Sequence, residues 1–136
     1  MVILAMGRMV HEACLAAQQL EKLGVSASVV NARFIKPLDV DCITGLARQT
    51  PRILCVEENT LCGGFSSAVL EALCDAGVVH AHVRRLGIPD RFIEHGPTAL
   101  LRKNLGLDAS GIVKASVDFL HDLSKTPALT HAKKTA

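Results

Sequence analysis

Two adjacent acids, Glu57 and Glu58, stand between the apolar run Arg52 to Val56 and a Gly63-Gly64 pair. By position they are the best acid–base candidates in the chain. Side chains alternate along a strand, so the two should point to opposite faces and would not share a proton. One of them then suits a structural cap or ion pair. His80-x-His82 could set two imidazoles on one strand face at metal-ligand reach. No third ligand is evident nearby, and an exposed sheet edge is the simpler reading. Glu94-His95 could act as a carboxylate–imidazole base on a proline loop, against the plainer reading of a surface histidine. Cys62 would need a distant histidine to act as a nucleophile. Arg84-Arg85, Arg91 and Arg102-Lys103 could meet a phosphate, because guanidinium matches planar oxyanions. Each cation taken singly reads as a solvated surface residue. No self-contained catalytic set and no metal site emerge from these residues alone.

The elements that must position them follow a regular pattern. Val2 to Met6 reads as a buried strand, and a helix from Met9 to Leu23 carries Val10, Ala13, Cys14, Ala17 and Leu20 on one face. Gly24 suits its C-terminal end. A second strand spans Val25 to Ala32, and Pro37 forbids its simple continuation. Asp39 can cap a helix over Val40 to Gln49. The third strand, Arg52 to Val56, ends at the acids and turns through Gly63-Gly64 into a helix over Gly64 to Ala76. Phe65, Ala68, Val69, Ala72 and Leu73 fall at core spacing in that helix. A half-polar fourth strand, His80 to Leu86, suits a sheet edge. A loop from Gly87 to Gly96 leads to a short helix opened by Pro97 and ended by Gly106. Asp108 caps the last helix, Ala109 to Leu123.

Strand centres recur about every 25 residues with helices between, the spacing of a parallel sheet built from βαβ units. The expected fold is α/β, a three-layer α/β/α sandwich with strand order 2-1-3-4. Its crevice should lie where the turns Gly7-Arg8 and Glu57 to Gly64 meet. Residues 1–123 form the expected domain, and residues 124–136, polar and ending in Lys133-Lys134, a disordered tail.

Composition narrows the function classes. The chain has 136 residues, 49% of them hydrophobic, enough for one domain with a real core. A net charge of +2 gives no strong electrostatic case for nucleic acid, and four Phe with no Trp or Tyr give no stacking platform. No stretch is long and apolar enough to span a membrane. Five cysteines without a Cys-x-x-Cys suggest reduced thiols in a cytoplasmic protein. Cys14, Cys42, Cys55 and Cys74 sit in apolar patterns and should be buried, and Cys62 should be exposed.

Three stretches carry a family resemblance. One is Asn31-Ala32-Arg33-Phe34-Ile35-Lys36-Pro37-Leu38-Asp39. Another is Val56-Glu57-Glu58-Asn59 with Gly63-Gly64-Phe65. The third is Leu86-Gly87-Ile88-Pro89-Asp90-Arg91-Phe92-Ile93-Glu94-His95-Gly96, followed by Leu105-Gly106-Leu107-Asp108 and Gly111-Ile112. Together they resemble the C-terminal domain of the 1-deoxy-D-xylulose-5-phosphate synthases, thiamine-diphosphate enzymes of the transketolase superfamily. The likeness runs in register over roughly residues 2 to 120. Its first two stretches are shared with transketolases and the β chains of 2-oxo acid dehydrogenases; the third favours the synthases. Ser66 departs from the pattern, where the family often has Gly, and that bears on how closely the turn packs.

The resemblance implies a full-length enzyme that decarboxylates pyruvate and joins the two-carbon unit to glyceraldehyde 3-phosphate. It implies that thiamine diphosphate and Mg2+ sit in two preceding domains, and that this domain alone binds neither and is inactive. It further implies a homodimer, with this domain serving assembly and the edge of the substrate site. Arg102, a few residues ahead of Leu105-Gly106-Leu107-Asp108, stands where the family carries an arginine for the substrate phosphate. Arg91 is the second candidate. The start at a buried strand fits a fragment, and the polar end fits a true C-terminus. Other readings stay open: a transketolase or dehydrogenase β-chain domain, a structural dimerisation module, or a free-standing sugar-phosphate or nucleotide-binding domain.

Overall fold

Val2-Ile3-Leu4-Ala5 and Ile53-Leu54-Cys55-Val56 run apolar without a polar break. Such segments belong where both faces of a sheet are covered. The structure, a computed structural model, describes residues 1–125 and places both runs at the centre of one sheet. Its strands are β1 (Val2–Ala5), β2 (Ser28–Asn31), β3 (Arg52–Thr60) and β4 (His82–Ile88). They lie in the order β2-β1-β3-β4, every neighbouring pair parallel. The helices are α1 (Met9–Lys22), α2 (Val40–Gln49), α3 (Phe65–Asp75), α4 (Thr98–Asn104) and α5 (Ala109–Lys125).

Alternation along the strands divides the core into two halves. Val2, Leu4, Ile53 and Cys55 face α2 and α3, packing on Ile43, Ala47, Phe65, Val69 and Leu73. Ile3, Ala5, Leu54 and Val56 face α1 and α5, packing on Met9, Ala13, Leu20 and Ile112. The result is the three-layer sandwich and the strand order expected from the sequence. The winding reverses at β1, which pairs with β2 on one side and β3 on the other.

Local signals close the elements as the chain suggests. Asp39 Oδ1 accepts from Cys42 N at 3.0 Å, and Asp108 Oδ1 accepts from Gly111 N at 2.9 Å. Glu12 of α1 adds a contact no local pattern showed: its carboxylate accepts from Ala109 N at 3.0 Å and ties α1 to the start of α5.

Several expectations need correction. The chain does not leave the sheet at the acids, because β3 continues to Thr60. It can do so because β4 continues to Ile88, so that Thr60 pairs with Ile88 and Leu61 N donates to Ile88 O at 2.9 Å. The fourth strand starts at His82, not His80, since His82 N bonds Pro51 O and sets the register with Arg52. β2 is four residues long and half exposed, because it is the other edge of the sheet. On α1 the buried face is Met9, Ala13, Ala16 and Leu20, a rotation that leaves Cys14 exposed. Cys42 and Cys74 are exposed with Cys62, and Cys55 is buried. At the far end, Ser124 and Lys125 complete α5, and the rest of the expected tail lies outside the described residues.

Candidate functional site

The carboxyl ends of the strands gather the residues singled out for chemistry. Ile53, Cys55 and Glu57 share one strand face, so Glu57 follows the core residues toward α3. There it is fully buried. Its Oε2 accepts from Phe65 N and its Oε1 from Ser66 N, each at 2.8 Å. A carboxylate at a helix N-terminus satisfies two donors that lack partners within the helix and meets the positive end of the dipole. Glu57 is therefore the cap of α3. With both oxygens occupied in this way, it is unsuited to general-base work.

Gly64 makes that cap possible. A Cβ there would lie 2.1 Å from Thr60 O and 2.4 Å from Glu57 Oε2. Gly63, at φ +70°, turns the chain just before it. Ser66 is buried, so the turn accepts a side chain at the position where the resembling family often has Gly. The loop before it is held by Arg85, whose Nη1 donates to Leu61 O at 2.9 Å, and by Ser67 Oγ, which donates to the same carbonyl at 2.9 Å.

Glu58 points the other way, as alternation requires. Its Oε2 accepts from Arg102 Nη2 of α4 at 2.7 Å. The pair is partly shielded, with side-chain exposures of 18% for Arg102 and 32% for Glu58. Arg102 Nε is buried and has no partner among the described residues. The two adjacent acids thus hold two different helices, one on each side of β3.

The other candidates remain separate. Arg91 is exposed in the β4–α4 loop and lines a pocket of about 390 Å³ with Phe92, Glu94, His95 and Leu101. Glu94 and His95 are both exposed and form no ion pair with each other among the described residues. Arg84 donates to Asp122 at 2.5 Å and lies over the Phe119 ring at 5.2 Å, tying β4 to α5. That contact holds Asp122 below the usual carboxylate range, chiefly through the hydrogen bond from Arg84. His80 sits in a turn outside β4, which separates it from the strand face of His82. Among the described residues no group of three or more His, Cys, Asp or Glu could hold a metal ion. Burial pushes the Cys55 thiol from its ordinary 9.0 up to about 12, with Glu57 adding and Arg85 opposing, so it is a poor nucleophile.

A largely apolar pocket of about 490 Å³ opens at the carboxyl ends of β1 and β2, lined by Leu4, Val30, Phe34, Leu38 and Cys42 among others. For Mg2+ the described residues form no acid cluster, and the one fully buried carboxylate among them, Glu57, is filled by backbone donors.

Three comparisons bear on this geometry. The family model described as "Transketolase, C-terminal domain" matches residues 1–112. Among curated proteins, the chain is 50% identical over 132 residues to 1-deoxy-D-xylulose-5-phosphate synthase 1 of Geobacter sulfurreducens, covering 96% of this chain and 21% of the relative. It is 51% identical over 114 residues to the 1-deoxy-D-xylulose-5-phosphate synthase of Heliobacterium modesticaldum, covering 84% and 18%. The synthase of Aquifex aeolicus is 48% identical over 119 residues, with coverage of 88% and 19%. The chain therefore spans about a fifth of the length of the curated relatives it matches. Among solved structures, one titled "Split gene transketolase, inactive beta4 tetramer" superposes with a TM-score of 0.79 at 35% identity, covering 88% of this chain and 39% of that one.

Proposed function

The chain belongs to the transketolase C-terminal domain family, and we propose that it is the C-terminal domain of a 1-deoxy-D-xylulose-5-phosphate synthase. The observation that carries this reading is identity near 50% to synthases across 84 to 96% of the chain. In the full-length enzyme, pyruvate loses CO2 and its remaining two-carbon unit is joined to glyceraldehyde 3-phosphate. Thiamine diphosphate with Mg2+ supplies the carrier for that unit and belongs to the preceding domains. The enzyme works as a cytoplasmic homodimer; no described helix is long and apolar enough to cross a membrane.

In this reading the chain supplies part of the assembly surface and the edge of the substrate site. Arg102 meets the acceptor phosphate, with Arg91 as the second cation. Support comes from the position of Arg102 beside the carboxyl end of β3 and from its single-point bond to Glu58, which leaves much of the guanidinium fork for another anion. The same bond favours a second reading, in which Arg102 is a structural cation and the domain serves assembly alone.

Coupled assay of the full-length protein with pyruvate and glyceraldehyde 3-phosphate tests the proposal. Release of CO2 together with formation of 1-deoxy-D-xylulose 5-phosphate is expected. Turnover of two-carbon units from ketose phosphates without use of pyruvate would assign the chain to a transketolase instead.

A further inference from the structure

The pair between Glu58 and Arg102 has a fixed partner and a held partner. Glu58 follows directly on Glu57, whose two oxygens are bonded to the backbone of α3 at 2.8 Å. It lies within β3, in an irregular stretch that the Val56–Leu86 and Thr60–Ile88 pairs tie to β4 on either side. Its backbone is thus set by the sheet on one side and by a buried cap on the other. Arg102 is held less firmly: its carbonyl accepts from Leu107 N at 2.8 Å at the end of the helix, but the helix body has little support. α4 is seven residues long and buries none of them. The segment leading into it, from Asp90 to Pro97, is exposed apart from the half-buried Ile93. After it the first fully buried side chain is Leu107. With so little apolar area removed from water, α4 gains little positional energy from packing. A polar tie then has an unusual share in deciding where the helix lies.

We propose that Glu58 is a positioning residue that anchors α4 and thereby sets the guanidinium of Arg102 at the carboxyl rim of the sheet. The bond is well suited to that task, because it uses one nitrogen and one oxygen, Nη2 and Oε2, and leaves most of the fork unengaged by Glu58. A bidentate pair would hold the helix equally well and would occupy more of the donors an anion needs. Glu57 and Glu58 therefore divide the work at the end of β3, one holding α3 and the other α4. The part of this inference that concerns substrate rests on the phosphate role proposed above for Arg102; the anchoring of α4 does not.

Two measurements test it. In the 136-residue chain, hydrogen exchange of the α4 amides should quicken roughly two- to fivefold in Glu58→Ala, the range of a partly exposed ion pair. Arg102→Ala should quicken it by a similar factor, and the double variant should add nothing further. Glu58→Gln should restore part of the protection, since its amide oxygen still accepts. In the full-length synthase, Glu58→Ala should raise KM for the phosphorylated acceptor roughly two- to fivefold with pyruvate decarboxylation unchanged. That rise should vanish in an Arg102→Ala background. Unaltered α4 exchange in Glu58→Ala, or a KM rise that persists without Arg102, would overturn the inference. If Arg102→Ala leaves acceptor KM unchanged while the exchange coupling holds, Glu58 stands as the anchor of α4 and the phosphate reading falls instead.

Discussion

Glu57 Oε2 lies 2.8 Å from Phe65 N, so the end of a buried strand caps the helix that follows it. Replacing Glu57 by Ala leaves the N–H groups of Phe65 and Ser66 without their acceptor in a buried setting. A loss of about 3 kcal/mol in unfolding free energy is expected. Glu57→Gln should lose less, because one oxygen remains. Urea denaturation of both variants checks this, and a loss below about 0.5 kcal/mol in Glu57→Ala would show that water replaces the cap.

The two glycines of the same turn should respond differently. Gly64→Ala sets a methyl group 2.1 Å from Thr60 O, a backbone atom held in the sheet register. Overpacking of this kind should cost about 3 kcal/mol. Gly63 has open space where a Cβ would go, and only its φ of +70° resists substitution. Gly63→Ala should cost about 1 kcal/mol. Thermal unfolding of the pair gives the ranking, and equal losses would contradict the close approach at Gly64.

Thiol chemistry should separate one cysteine from four. Cys14, Cys42, Cys62 and Cys74 are exposed and should react with a thiol reagent in the folded protein. Cys55 is buried, and its thiol is pushed up to about 12, so it should react only on unfolding. The sign for stability follows. Above the ordinary value of 9.0 the unfolded chain loses the Cys55 proton and the folded one keeps it. Stability should therefore fall as pH rises from about 9 toward about 12, and Cys55→Ala should flatten that part of the profile. Five fast-reacting thiols in native conditions would contradict the placement.

The 136-residue chain by itself should bind no thiamine diphosphate, with or without Mg2+, and should make no product. It should also self-associate, because Phe34 and Phe92 are exposed beside the two pockets at the carboxyl rim. Titration calorimetry and light scattering read the two outcomes. Tight Mg2+-dependent cofactor binding would refute the first, and a monomer at high concentration the second.

In the full-length enzyme, Arg102→Ala should weaken use of the phosphorylated acceptor roughly 10- to 150-fold, the range of a lost charge-assisted bond. Pyruvate decarboxylation should change far less. Arg102→Lys should recover only part of the loss, since ammonium lacks the planar fork. Unchanged acceptor kinetics in a variant that folds and assembles normally would leave Arg102 as a partner of Glu58 alone.

Local periodicity was enough to read the layers of this protein. The uninterrupted apolar runs at Val2 to Ala5 and Ile53 to Val56 mark central parallel strands, because only those are covered on both faces. Asp39 and Asp108 mark helix starts through contacts three residues away, and the α2 bounds Val40–Gln49 are those read from the chain. Alternation also foretold that Glu57 and Glu58 would diverge. What the tertiary structure decided is where each went. β3 outruns its apolar segment because β4 is there to pair with Thr60, a contact 28 residues along the chain that no local pattern contains. The face of α1, and with it the exposure of Cys14, depends on how the helix rolls against the sheet. Arg102 reads in sequence as a cation at the end of a short helix. Only the placement of α4 near the end of β3 brings it to Glu58, 44 residues away. Periods and caps arise from neighbours in sequence, whereas an ion pair between two elements exists only once the sheet has fixed the distance between them.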